Sequence, residues 1–514
     1  MTGKLKNLTS GVSFGIINKL VSLLLPFASR TVLIYTLGIE YIGLNSVFSS
    51  ILQVLNFTEL GLGSTIVYFL YKPLAEDDTV KVRNILAFCK KCYRLIGCII
   101  LGIGIVLVPF LPSLINGTIP DNINLYVLYF LNLANSVVGY LLFAHKQTLL
   151  IAVQRVDLVS ISGIISEVFL NLIQIITLLI TKNFYLFTIF KIVASIVNNL
   201  CYQYFSTKYY SDYFDEGNIQ EEEKKEFAKK IGGMFFQKIS NVVLVSADSI
   251  VISTFLDLKA LGIYNSYYYV INGLILITGV IDMAILPVIG EIAVTKSKSE
   301  NKSLFYKLDF GICFIVFWFS LCYFLLCQDF MKLWIGVDNI LTGLFPIVFA
   351  SYFFFYRIKD AVSLYVDATG LWWSTKWVSF GAAMLNLVSN IIMVQFIGLY
   401  GVLLSSIFSF IIVDIPFSTY KLFALYFEDK TNVLSYVVKR FILFGLFVVT
   451  AFGMNQMLQL INVTSIIEFI LKLAIVGVFS FVASLLIFKW NPYFNEIKQL
   501  VLSKLSNYSR RGKK

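Results

Sequence analysis

Lys19 and Arg30 are cations inside a mostly apolar run, residues 11–37, that is long enough to cross a bilayer as one helix. Eleven residues separate them, about three turns, so the sequence places both on one helical face. Gly15, Ser22 and Pro26 fall on or near that face, while Leu20, Leu24 and Leu25 point elsewhere. A charge held in hydrocarbon is costly and belongs beside a cavity or a partner rather than lipid. Arginine's planar fork can hold a phosphate through two bonds and lysine adds a mobile point charge, so the stripe suits passage of a phosphate-bearing group. The structural alternative for Arg30 is snorkelling to the outer interface. Three carboxylates, Glu59, Asp248 and Asp282, also lie within apolar stretches. They either neutralise the cations in a resting network or bind the proton or sodium ion of a driving gradient. Two further pairs are expected, Glu167 with Lys191 and Glu468 with Lys472, the latter four residues apart on one helix.

Positioning these groups requires a membrane scaffold. About fourteen apolar segments reach the length of a spanning helix: 11–37, 41–70, 93–116, 121–145, 157–181, 183–207, 232–256, 260–290, 305–329, 340–366, 377–398, 400–427, 436–460 and 464–489. The gaps between them alternate in Lys/Arg content. Those around Thr36–Tyr41, Leu111–Ile123 and Asn455–Thr464 hold almost none, whereas their neighbours carry Lys90, Lys91 and Arg94, then Lys146 and Arg155, then Lys224 and Lys225, and so on to Lys439 and Arg440. Positive residues beside spans stay cytoplasmic, which predicts a multi-pass bacterial inner-membrane protein with both termini inside. A hydrophobic share of 58%, a charged share of 14% and a mean hydropathy of +0.81 agree. The net charge of +11 is accounted for by cytoplasmic loops and the basic tail, which set orientation and meet anionic lipid; no nucleic-acid partner is expected. Cys89 and Cys92 have metal-ligand spacing but no second pair nearby, and the one histidine, His145, ends a span. Neither a metal site nor a cofactor is expected, apart from a proton or sodium gradient.

The two halves of the chain are related. An ungapped offset of 219 residues aligns Lys19 with Lys238, Ala28 with Ala247, Leu37 with Leu256 and Gly43 with Gly262. Six intervening spans preserve orientation, so the sequence predicts a parallel repeat about an axis along the membrane normal. The expected architecture is all-α and integral to the membrane. Two pseudo-symmetric six-helix lobes, 1–210 and 232–427, are joined by a cytoplasmic linker, 211–231, and followed by a helix pair with a basic tail, 428–514. Two lobes facing across a cavity suit an alternating-access carrier, with Lys19 and Lys238 at equivalent depths and Ser249 standing where the first copy has Arg30.

Several runs resemble a known family. Arg30-Thr-Val-Leu-Ile-Tyr-Thr-Leu-Gly38, Tyr41-Ile-Gly-Leu44 and Thr58-Glu-Leu-Gly-Leu-Gly63 are similar to the opening of polysaccharide flippases. Asp248-Ser-Ile-Val-Ile252 and Leu261-Gly-Ile-Tyr264 resemble a second signature of the same group, the Wzx-type branch of the multidrug/oligosaccharidyl-lipid/polysaccharide exporter superfamily. The resemblance implies a monomeric carrier that moves undecaprenyl-pyrophosphate-linked oligosaccharide from the inner to the outer leaflet. Arg30, Lys19 and Lys238 would hold the substrate. A polysaccharide polymerase and a chain-length regulator, in transient contact at most, would act on the product. Lipid II flippases carry a first-span arginine that Arg30 matches, but also basic residues in the second span; Tyr41–Tyr71 has no Lys or Arg, which favours a capsule, exopolysaccharide or O-antigen unit over lipid II. A cation-coupled small-molecule exporter of the same superfamily is the competing reading, and it calls for an acidic rather than a cationic cavity. A membrane glycosyltransferase needs a sizeable external loop, and no external gap is long enough, so an enzyme is not expected.

Overall fold

Within hydrocarbon every backbone N–H and C=O must be satisfied by the segment itself, so apolar runs of this length become helices. The computed structural model describes residues 2–56, 62–214, 217, 219–458, 461–496 and 498–499, and among them there are helices and turns but no strand. The chain divides into two compact units, Met1–Asn265 and Ser266–Lys514. The first holds α1 (Thr2–Thr36), α2 (Glu40–Leu55), α3 (Leu62–Ala75), α4 (Thr79–Leu107), α5 (Leu111–Leu114), α6 (Leu125–Leu141), α7 (Ala144–Ala152), α8 (Val156–Thr181), α9 (Phe184–Tyr210) and α10 (Glu221–Phe255). The division falls inside α11 (Leu258–Thr295). The second unit continues with α12 (Lys298–Ile335), α13 (Phe345–Arg357), α14 (Asp360–Thr369), α15 (Trp372–Ile397), α16 (Leu399–Ser409), α17 (Ile415–Leu422), α18 (Val433–Leu458) and α19 (Ile466–Phe488). π-helical turns, Phe410–Asp414 and Phe423–Phe427, flank α17.

Ten helical stretches among the described residues are long and apolar enough to span a membrane, and α6 with α7, bent by 50°, makes an eleventh as a broken pair. The protein is therefore a multi-pass membrane protein. The sequence suggested about fourteen spans, and the difference lies in three of them. Segment 41–70 is divided between α2 and α3, segment 340–366 breaks between α13 and α14 at the charged run Arg357–Asp360, and segment 232–256 contains the shorter apolar stretch Val242–Phe255. Helix starts follow side chains that accept orphan backbone N–H groups. Asn124 and Asn183 cap α6 and α9, and Ser297 and Ser465 form capping boxes with Glu300 and Glu468.

The offset of 219 residues recurs in the fold. It relates both ends of α1 to both ends of α10, since Thr2 corresponds to Glu221 and Thr36 to Phe255. It also relates two close contacts in the first unit. A Cβ placed on Gly43 would come 2.0 Å from the Leu258 carbonyl oxygen, and one on Gly262 would come 2.2 Å from that of Ile39. Ile39 and Leu258 are themselves 219 residues apart, as are Gly43 and Gly262. Contacts in which each copy gives the other the same partner are what a two-fold relation produces. The glycines are needed because the backbones meet with no room for a side chain.

The second unit encloses a buried ion pair. Arg440 of α18 donates to both oxygens of Asp309 of α12 at 2.5 Å, Tyr436 donates to Asp309 at 2.7 Å, and Arg440 also reaches the Cys313 sulfur at 2.9 Å. Removing one partner of such a pair leaves a buried charge uncompensated, which costs about 3–5 kcal/mol. Asp309→Ala is accordingly expected to lower stability by about that amount, with Asp309→Leu/Arg440→Met recovering much of it. Unfolding midpoints in detergent micelles check this; an Asp309→Ala protein as stable as the parent would contradict it.

Candidate functional site

The face that α1 buries determines where its cations point. Asn18 lies against Gly163 of α8, where an added Cβ would come 3.1 Å from the Asn18 Oδ1, and Ser29 donates to Gln174 of α8 at 3.3 Å. Gln174 in turn donates to the Phe187 carbonyl of α9 at 2.8 Å. Asn18 and Ser29 are eleven residues apart and share one face; Lys19 and Arg30, one residue on, lie about 100° further round the helix. Both cations are partly buried, whereas Leu20 and Leu24, at 51% and 61% exposure, lie on an outward-facing side. The stripe expected from the sequence is thus set apart from both the α8 contact and the exposed leucines. Pro26 lies inside α1 and has no N–H to offer the Ser22 carbonyl, which leaves that acceptor available on the same stripe.

The other sequence-chosen residues are placed unevenly. Asp248, on α10, is buried and accepts the Tyr264 hydroxyl of α11 at 2.7 Å. Lys238 is on α10, but its side chain lies outside the described residues, as does Glu59 altogether. The two expected pairings are not formed. Lys191 donates to Asn45 of α2, and Glu167 instead accepts the Asn171 side-chain amide at 3.0 Å. Glu468 accepts from Thr464 and Ser465 at the start of α19, and Lys472 pairs with Asp329 of α12 at 2.7 Å. Glu468 thus serves the helix N-terminus, while Lys472, buried in the unit, takes its counter-charge from the neighbouring helix.

Asp282, in the second unit, belongs to a larger network. Arg357 at the end of α13 pairs with Asp282 of α11 and with Asp360 of α14, each at 2.7 Å. Next to it, Lys359 pairs with Asp414, the last residue of a π-helical turn, and Asp414 also accepts the Ser418 hydroxyl at 2.9 Å. Three carboxylates therefore face two cations. Arg357 is 7% exposed and pairs inside the unit. Sequence reasoning missed Asp414, whose only signal is an isolated carboxylate in an apolar run. It also missed the buried amides Asn171 and Gln174. Among the described residues no group of three or more His, Cys, Asp or Glu side chains could hold a metal ion.

Residues 8–293 match the polysaccharide biosynthesis protein family, and the chain belongs to it. The fold is similar to that of the lipid II flippase MurJ in an inward closed conformation, with 15% identity, coverage of 93% of this chain and 98% of that one, and a TM-score of 0.68. It is similar also to an inward-facing multidrug resistance MATE transporter of the MOP superfamily, with 12% identity, coverage of 82% and 96%, and a TM-score of 0.59. A point mutant of the Vibrio cholerae MATE transporter VcmN matches at 12% identity over 80% and 95% of the two chains, with a TM-score of 0.55. No curated protein sequence matches the chain.

Proposed function

We propose that this protein is a flippase that carries undecaprenyl-pyrophosphate-linked oligosaccharide from the inner to the outer leaflet of the bacterial inner membrane by alternating access. In this reading fourteen spans form two six-helix lobes, 1–210 and 232–427, with the linker 211–231, residues 428–514 and both termini on the cytoplasmic side. The observation that carries it is the polysaccharide-biosynthesis match over residues 8–293, because that stretch contains the partly buried cationic face of α1. Arg30 and Lys19, with Lys238 from the second copy, would hold the pyrophosphate. A small-molecule exporter, the competing reading, is disfavoured by cations in that position. A polymerase and a chain-length regulator would receive the flipped unit, and the carrier would act as a monomer without chemistry of its own. The test is complementation. Deletion of this gene from its native strain should stop polymer export and accumulate lipid-linked repeat units on the inner leaflet, and the gene supplied in trans should restore export; unchanged polymer on deletion would exclude the reading.

Asp282 is the carboxylate best supported as a coupling group. Its network sets three carboxylates against two cations, so one negative charge is left without a cation of its own. Asp282→Asn should remove the dependence of transport on a pH gradient and slow transport at least about tenfold, the scale of one lost charged interaction, while leaving substrate binding intact. Equal losses of binding and transport would assign Asp282 to charge neutralisation instead. Asp248 and Glu59 remain in the proposal as parts of the first unit's charge network.

A further inference from the structure

A cavity of about 830 Å3 lies in the first unit, where α4, α7 and α9 meet the segment after α9. Lys90, Lys91, Arg94, His145, Lys146 and Phe214 are among the residues lining it, and no described lining residue is a carboxylate or belongs to α1. The three α4 cations are exposed, as residues that only orient a loop would be. Lys146 and His145 are different, with exposures of 6% and 5%. The Lys146 ammonium donates to the Thr207 hydroxyl at 3.3 Å and sits 4.0 Å from the centre of the Phe214 ring. His145 meets the same ring edge-on. Repulsion from Lys90 acts on Lys146, and repulsion from Lys90, Arg94 and Lys146 acts on His145. An ammonium taken out of water requires a counter-charge, and a hydroxyl and a ring face supply only part of one. Membrane orientation does not call for a buried lysine.

We infer that this cavity is a cytoplasmic binding site for a diphosphate-bearing ligand, separate from the α1 stripe. Four formal positive charges around one cavity exceed what a singly charged phosphate needs, and the volume is that of a small-molecule site rather than of an ion. Arg94 offers the paired donors of a guanidinium and Lys146 a buried point charge beneath them. The diphosphate could belong to a polyprenyl lipid in the inner leaflet or to a soluble nucleoside diphosphate, and a phospholipid headgroup is the competing anion. Asp215 and Glu216, which precede the lining residue Gly217, lie outside the described residues.

The full-length protein in phosphatidylcholine nanodiscs, titrated with pyrophosphate by calorimetry, provides the test, and it reads binding without transport. Pyrophosphate should bind, and Arg94→Gln and Lys146→Gln should each weaken it about tenfold or more, while the exposed Lys182→Gln changes nothing. Arg94 is exposed, so its variant keeps the test valid if Lys146→Gln folds poorly. Undecaprenyl pyrophosphate competing in the nanodisc would identify a lipid-borne ligand, and uridine diphosphate competing from solution a soluble one; either outcome supports the site. Absence of pyrophosphate binding overturns it, and Asp215→Asn/Glu216→Gln then reports whether the chain's own carboxylates fill the cavity. Affinities within twofold of the parent for both charge variants, or competition by phosphatidylglycerol alone, also overturn it.

Discussion

Arg30→Ala is expected to abolish polymer export at matched membrane expression, Arg30→Lys to restore it in part, and Lys19→Ala or Lys238→Ala to reduce it less. Arg30 is partly buried on a helix whose rotation is set by contacts on a different face, Asn18 against Gly163 and Ser29 with Gln174. Neither of those contacts involves the guanidinium, and comparison at matched membrane expression separates function from stability. Losing one charged hydrogen bond to phosphate costs about 1.5–3 kcal/mol, roughly a ten- to hundred-fold loss in binding. Lysine restores the charge but not the two-pronged geometry, which sets the order of the series. The second copy has Ser249 in the corresponding place, with Asp248 beside it, so the proposed grip has no second guanidinium related to Arg30 by the repeat. Normal export by Arg30→Ala would return Arg30 to the snorkelling reading.

Gly43→Ala and Gly262→Ala should each cut transport at least about tenfold, and by similar factors. The added methyl would stand 2.0 Å from one carbonyl oxygen or 2.2 Å from the other, more than 1 Å inside an ordinary carbon–oxygen contact of about 3.3 Å. Both obstructing atoms are backbone, so no side-chain rotation relieves the overlap and a helix must shift; overpacking of this kind costs about 1–3 kcal/mol. In an alternating-access carrier the cost falls on the one conformation that has the contact. Both variants should therefore fold, yet expose Ile39 and Leu258, which are 3% and 2% exposed in the parent. Cysteine placed at either position, in a background with the native cysteines replaced, should react with an impermeant thiol reagent faster in the alanine variants. Unchanged labelling and unchanged transport would remove any functional role from the contact.

The sequence made the Gly43–Gly262 relation visible because both glycines fall at the same offset as Lys19 and Lys238, and a repeat that survives in only a few residues survives where backbone approach forbids a side chain. That Lys19 and Arg30 share one face of a single helix was legible from helical periodicity alone, since eleven residues return to one face. Ion pairing between helices was not legible. Lys472 is four residues from Glu468 but pairs with Asp329 from another helix, a partner 143 residues away that no local rule selects. The same holds for Arg440 with Asp309 and for Lys359 with Asp414. Where a segment long enough to cross breaks internally, as 340–366 does at Arg357–Asp360, the break was not legible, because pairing of that charged run depends on helices distant in sequence. In the sequence Lys146 is one of the cytoplasmic loop charges; its burial against Thr207 and Phe214 is a tertiary property.

The central claim, that this chain moves a lipid-linked oligosaccharide between leaflets, is tested most directly with purified protein in sealed vesicles. Undecaprenyl-pyrophosphate-linked oligosaccharide bearing a fluorophore is placed in both leaflets, and the outward-facing share is read by quenching with an impermeant reductant. With the parent protein and a proton gradient, quenching should proceed beyond the half of the label accessible at the start, and Arg30→Ala vesicles should stop at that half. Quenching that halts at half with the parent protein as well, under a gradient and with correctly folded carrier, would contradict the account.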